Sequence, residues 1–211
     1  GLASDVADPA ALRAPPRSRD LPAQVEPSAF PTWNRAGIAA ANTWLGWRWC
    51  RAGQSPMALA DALFPLNDAR RYFAGFGKAG MVEAQWLVPH ARFDDFAGAL
   101  AERVARDKPR IALIASKLFA GDAEGFSFDG TGVALAIQLP SPRESGQRAF
   151  LEALAEIALG HAGRANLIKD STLDAATARR AIAGFDAARE RLAAFNAQGL
   201  YTSELARRLA L

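Results

Sequence analysis

Met81-Val82-Glu83-Ala84-Gln85-Trp86-Leu87-Val88, closed by Pro89, is the stretch that decides the fold. Val82, Ala84, Trp86 and Val88 fall on one parity, and Glu83, Gln85 and Leu87 on the other. A period of two is what a pleated strand imposes on its two faces. Proline lacks the N–H that would continue a ladder, so the strand is expected to stop there. The period then changes. Within 91–107, Phe93, Phe96, Leu100 and Val104 recur at the spacing of one face of an amphipathic helix. Ile111–Leu118 reads as a second strand, and Gly121–Gly130, with Asp129-Gly130 in it, as a loop. Val133, Leu135, Ile137 and Leu139 alternate with Ala134, Ala136 and Gln138 as a third strand, ended by Pro140 and Pro142. Residues 144–160 repeat the helical pattern through Phe150, Leu154 and Ile157, and Ala165–Ile168 reads as a short fourth strand.

Strand, helix, strand, strand, helix, strand is the split βαβ order of ferredoxin-like folds. The expected fold class is α+β: an antiparallel sheet with helices on one face, and further helices at the C-terminus. The tail reads as helices over 173–183 and 185–196, punctuated by Gly184, then Glu204–Leu209 after a cap at Thr202 or Ser203.

N-terminal to the sheet, residues 1–29 are rich in Pro, Ala and Arg and carry no sustained period, the mark of an extended arm. From Trp33 to about Arg51 the pattern is helical, with Thr32 as the expected cap and Gly53 as the stop. Ile38, Trp44, Leu45 and Trp49 fall near one face of it. Pro56–Asn67 reads as a connector and Asn67–Phe76 as a short helix. The expected organisation is an arm over 1–32, a substrate-binding domain over 33–168 and a helical tail over 169–211.

Composition excludes several classes. The chain carries 25 basic and 22 acidic residues, a net charge of +3, with no basic cluster interleaved with stacking aromatics, so nucleic acid is not an expected partner. The one cysteine, Cys50, permits no internal disulfide and fits a reducing, cytoplasmic compartment. With His90 and His161 as the only histidines, no zinc set is expected. No apolar run approaches the ~20 residues of a membrane span. There is no Gly-rich phosphate loop, GxSxG, HExxH or CxxC. His90, His161 and Cys50 read as structural: a surface or capping residue, a helix-end residue and a core filler. The Trp-rich helix admits packing, a domain contact or a lipid-like surface; Trp44, Trp47 and Trp49 with Arg48 and Arg51 alongside raise a peripheral membrane contact.

The polar residues on the strands point furthest. Glu83 and Gln85 share the face opposite Val82, Ala84 and Trp86; Lys117 stands near the end of the second strand and Lys169 at the end of the fourth. Polar groups converging on one sheet face are what a small-molecule site requires. The plainer alternative is a solvated face.

A resemblance rests on the run Phe64-Pro65-Leu66-Asn67, then Gly80–Pro89, then Ser116-Lys117-Leu118-Phe119. It continues through Gly163-Arg164, Leu167-Ile168-Lys169-Asp170-Ser171 and Thr202–Leu209, with Leu21-Pro22 and Phe30-Pro31 ahead of the Trp-rich helix. In order and spacing these motifs resemble the substrate domain and C-terminal stretch of the vanillyl-alcohol-oxidase superfamily of FAD-linked oxidases, nearest the branch that oxidises lipid-linked sugars. The resemblance implies a hydride transfer from a CH–OH carbon to FAD. It implies a partner FAD-binding domain outside these residues, so that the isolated chain is expected to be inactive and not to retain FAD. A sugar or lipid-linked sugar is the implied substrate, and a polyprenyl-phosphate carrier would draw the enzyme to the inner membrane. Lys169 matches the family's lysine beside flavin and substrate, and Lys117 and Gln85 match pocket residues. Glu83 stands where the family commonly has glutamine, Asn166 where a tyrosine lies near the flavin, and Ala136 where mycobacterial members have cysteine. Those departures bear on the substrate more than on the flavin-oxidase class. A non-enzymatic ferredoxin-like binding module is the alternative, and a sheet face left without its cover could pair with a second copy.

Overall fold

The computed structural model describes residues 26–51, 70–122, 126–141, 143–170 and 172–211. The chain forms two compact units, Gly1–Lys78 and Ala79–Leu211. Residues 169–211 belong to the same unit as the sheet. Most of the arm, the connector Pro56–Asn67 with the Phe64–Asn67 run, and the Gly53 stop lie outside the described residues.

In the first unit, helix α1 spans Arg35–Trp49 and α2 spans Arg70–Ala74. The cap is Asn34 rather than Thr32. Asn34 is extended, at φ −94° and ψ 177°, and its side-chain oxygen accepts from Gly37 N at 3.0 Å, while the Thr32 hydroxyl reaches toward Gly75 O. Trp33 anchors the helix base: its indole N–H donates to Tyr72 O at 2.8 Å, and its ring packs 5.0 Å from Tyr72 and 6.0 Å from Phe76. The expected single apolar face of α1 is split. Ile38 and Leu45 are half-buried, whereas Trp44 and Trp47 are each 55% exposed. Cys50 is exposed too, which corrects its reading as core filler.

The second unit carries the sheet. Strand β1 is Met81–Val88, helix α3 His90–Asp107, β2 Leu113–Phe119, β3 Gly132–Pro140, α4 Ser145–Gly160 and β4 Arg164–Ala165. The strand order is β2-β3-β1-β4 and every pairing is antiparallel, the split βαβ arrangement. Three tail helices follow: α5 Ala175–Ala181, α6 Phe185–Phe195 and α7 Glu204–Leu209. This is the α+β class that the alternation and periodicity predict.

The core follows from parity. Val82, Ala84, Trp86 and Val88 of β1 and Leu135, Ile137 and Leu139 of β3 pack with Phe96 and Leu100 of α3 and Phe150, Leu151 and Leu154 of α4. A fully buried Leu or Phe contributes roughly 1.5–3 kcal/mol relative to exposure, so this layer is the main source of stability. The tail extends it: Ala178, Ala181, Phe185 and Leu209 are buried in the same cluster. Gln147 is a buried polar staple at the sheet's end. Its side-chain nitrogen donates to Arg110 O and Pro140 O, both at 3.1 Å, and its oxygen accepts from Arg110 N. Gly132 admits no side chain, because a Cβ there would lie 2.3 Å from Val88 O, where β3 begins against β1. His161 caps the end of α4, its Nδ1 2.8 Å from Ile157 O, in keeping with a structural reading, and His90 is exposed at the start of α3.

The fourth strand is shorter than predicted. Only Arg164 and Ala165 pair, against Leu87 and Trp86. Asn166 ends the ladder: its N–H still reaches Gln85 O at 2.9 Å, but its side-chain oxygen accepts from Ile168 N and its carbonyl from Lys169 N, both at 3.1 Å. A side chain that satisfies the backbone two residues on turns the chain instead of extending it. Lys169 is therefore in a turn, not at the end of a strand.

Candidate functional site

Strand register places the polar residues in rows. Glu83 lies opposite Gln138, and Gln138 opposite Leu113; Gln85 opposite Ala136, and Ala136 opposite Ala115; Leu87 opposite Ala134, and Ala134 opposite Lys117. All of these residues, with Arg164 opposite Leu87, share the face turned away from α3 and α4.

At one end of this face, four of the five predicted site residues come together. The Lys169 ammonium donates to Glu83 Oε1 at 2.8 Å, and the Gln138 amide donates to Glu83 Oε2 at 2.9 Å. Two residues along β1, Asn166 Nδ2 donates to Gln85 Oε1 at 2.7 Å. Glu83 is 14% exposed and Gln85 is buried, while Lys169 stands 43% exposed at the rim. Both carboxylate oxygens are thus occupied by fixed donors, and Lys169 keeps N–H groups beyond the one given to Glu83. Neighbouring Ile168 is 92% exposed, so the rim is open on that side.

Lys117 is not in this group. It shares the face but sits on edge strand β2, two strands from β1, which at the usual strand spacing puts its Cα about 10 Å from that of Leu87. Ala134 and Ala136 form the floor between them. A lysine on an edge strand also blunts edge-to-edge pairing, a structural role that competes with the predicted one.

The chain roofs the other end of the face itself. Arg164 Nη2 donates to Ser127 O at 3.2 Å, Phe128 packs edge-on against Phe119 with centroids 5.5 Å apart, and Phe126 lies 6.1 Å from Phe185. The loop after β2 therefore crosses the Leu87 row, leaving the Glu83 row as the accessible part.

Three contributors escaped the sequence reading. In the sequence Gln138 reads only as part of the β3 alternation. Asp170 is buried, and its Oδ1 accepts from Thr172 N at 2.6 Å and Leu173 N at 2.8 Å. Arg208, on the last helix, donates to Asp170 O at 2.8 Å and to Leu173 O. Together Asp170 and Arg208 clamp the turn that presents Lys169. The only signal was the charge of Asp170 beside Lys169; its partner lies 38 residues on.

A cleft of about 530 Å³ lies elsewhere, between the end of α4, Arg164 and the Arg179–Ala187 stretch. Its arginines are already matched: Arg179 pairs with Asp186 at 2.9 Å, and Arg180 forks onto Glu156 at 2.8 and 3.0 Å. Walls already engaged in these ion pairs make it a weaker candidate than the Glu83 row.

The architecture and the site define an α+β unit with a polar cluster on the face of an antiparallel sheet turned away from its helices. No protein-family model matches the chain, and no curated protein matches it.

Proposed function

We propose that this chain is the substrate-side and C-terminal part of an FAD-dependent oxidoreductase of the vanillyl-alcohol-oxidase type, resembling decaprenylphosphoryl-β-D-ribose 2-oxidase, and acting on a CH–OH group of a sugar-like, lipid-linked alcohol. The observation that supports it is the meeting of Glu83 and Gln85 with Asn166 and Lys169, across 86 and 81 residues of chain, at the open end of one sheet face. These are positions that the motif resemblance assigns to substrate and flavin.

The donor set fits that cofactor. An ammonium at the rim, with N–H groups to spare, suits a ring that gains negative charge on reduction. When bound, FAD supplies the hydride acceptor. The chain's own residues do the rest. Lys169 orients the reacting hydroxyl. Glu83, held by Gln138 and Lys169, is the carboxylate that a substrate hydroxyl would meet beside that ammonium. Gln85, fixed by Asn166, offers its amide to a neighbouring hydroxyl. Asn166, Asp170 and Arg208 are positioning residues for Lys169.

The test is flavin content and reduction in the protein expressed from its whole reading frame. A flavin absorbance that bleaches anaerobically on adding a pentose or a polyprenyl-phosphate pentose supports the reading, and Lys169→Ala should slow the bleaching by about two orders of magnitude or more. A flavin-free protein that folds cooperatively would instead make the chain a ferredoxin-like binding module.

A further inference from the structure

We propose that the outer face of α1 is a docking surface for an anionic lipid membrane. This inference stands apart from the flavin reading and rests on α1 alone. Trp44, Trp47 and Arg48 share one face of α1, and Arg51, just past its end, continues the same three- and four-residue spacing. Ile38 and Leu45, on the other side, are half-buried, so packing uses the opposite face. Both outer tryptophans are 55% exposed, and each carries an arginine: Arg48 stands 5.8 Å from the Trp44 ring centroid and Arg51 4.2 Å from that of Trp47. The contrast with Trp33, hydrogen-bonded and packed among Tyr72 and Phe76, shows that this unit can use a tryptophan structurally; Trp44 and Trp47 are not so used.

Charge selects the occupant. From Pro27 to Arg51 there is no acidic residue, while Arg35, Arg48 and Arg51 are basic. Exposed indoles favour the headgroup level of a bilayer, where the ring is buried and the N–H stays wet. Arginines on the same stripe meet anionic headgroups while their stems cover the rings. A helix of 15 residues lying in the interface needs no span, and no described helix is long and apolar enough to cross a membrane.

The experiment is co-sedimentation of the 211-residue chain with phosphatidylcholine vesicles, with and without phosphatidylglycerol, at low and high salt. The chain should pellet with the anionic vesicles and be released by salt. Arg48→Glu with Arg51→Glu should lower the partition coefficient about tenfold or more, and Trp44→Ser with Trp47→Ser by a similar factor, each with an unchanged circular-dichroism melt. A chain that stays in the supernatant, or binding that neither pair of substitutions weakens, overturns the proposal. So does concentration-dependent self-association abolished by Trp44→Ser with Trp47→Ser, which would give the face to a second copy.

Discussion

The two faces of the four-stranded sheet are built from the same strands by opposite rules. On one, β1 and β3 offer Val, Ala, Trp, Leu and Ile to α3 and α4, and little is exposed until edge strand β2, where Ile114 and Leu118 reach past the helices. On the other, the strands offer Glu83, Gln85 and Gln138 around an alanine floor, and the partners arrive from a turn and a loop rather than from helices. The apolar face is held by shape and area. The polar face is held by specific donors and acceptors, each of which fixes another. Stability should therefore reside in the first, and chemistry is free to reside in the second.

The largest expected effect tests the apolar face. Phe150 is fully buried in the α4 layer. Phe150→Ala should cost about 3–5 kcal/mol in urea unfolding, as transfer and cavity terms add. A loss under 1 kcal/mol would mean that the layer repacks and that the contrast between the faces is overdrawn.

Arg208→Ala tests the support of the polar face from behind. The guanidinium is part-buried and serves Asp170 O and Leu173 O. Hydrogen bonds from a charged donor are each worth about 1.5–3 kcal/mol, and two are lost, so a loss of about 3 kcal/mol or more is expected. Hydrogen exchange should rise at Ile168 and Lys169 before it rises in β1. Equal protection of that turn in the variant would remove Arg208 from the positioning role.

Exchanging the ion pair sharpens the comparison. Replacing both partners of a partly buried pair with apolar groups of similar size is often neutral. Glu83→Leu with Lys169→Met should leave stability within about 1 kcal/mol of the parent. Lys169→Met alone should cost more, because it strands Glu83. If the double variant unfolds, the pair is a structural bolt and the case for a site weakens.

How much of this was legible in the sequence depends on how far apart the contacting residues lie. The strands and helices of the second unit were readable because period two and period 3.6 are local. β1 begins and ends where the alternation and Pro89 place it. The convergence of Glu83 with Lys169 was foreseen only as a shared face. Gln138 was not foreseen as a partner, because β1–β3 register is set by packing 55 residues apart. The shortening of β4 turns on one side chain, Asn166, bonding its own backbone. In α1 the period was right and the face was wrong for Trp44: composition does not say which of several indoles meets the core.

The smallest expected effect concerns acid. Helix α5 is tied down by two carboxylates outside the polar face. Asp174 caps it, accepting from Thr177 N at 2.7 Å, and that backbone hydrogen bond, with the Thr177 hydroxyl, holds its pKa below the ordinary carboxylate range. Glu156 of α4 receives the fork of Arg180, and that hydrogen bond holds its pKa down as well. Both groups are depressed on folding, so the unfolded chain takes up protons first as pH falls. Their contribution is complete above the unfolded carboxylate pKa, about 4, and is lost as pH drops through the folded values. Asp174→Asn keeps a capping oxygen and should leave neutral stability nearly unchanged while flattening the acid limb of a melting-temperature profile. Asp174→Ala should lose about 1 kcal/mol at neutral pH. Glu156→Gln should flatten the same limb with a small drop in neutral stability, since its pair is exposed and screened. An acid limb that neither Asp174→Asn nor Glu156→Gln alters would move the origin of acid sensitivity away from α5, to the other carboxylate with a lowered pKa, Asp107 at the end of α3, and would leave the contrast between the two faces untouched.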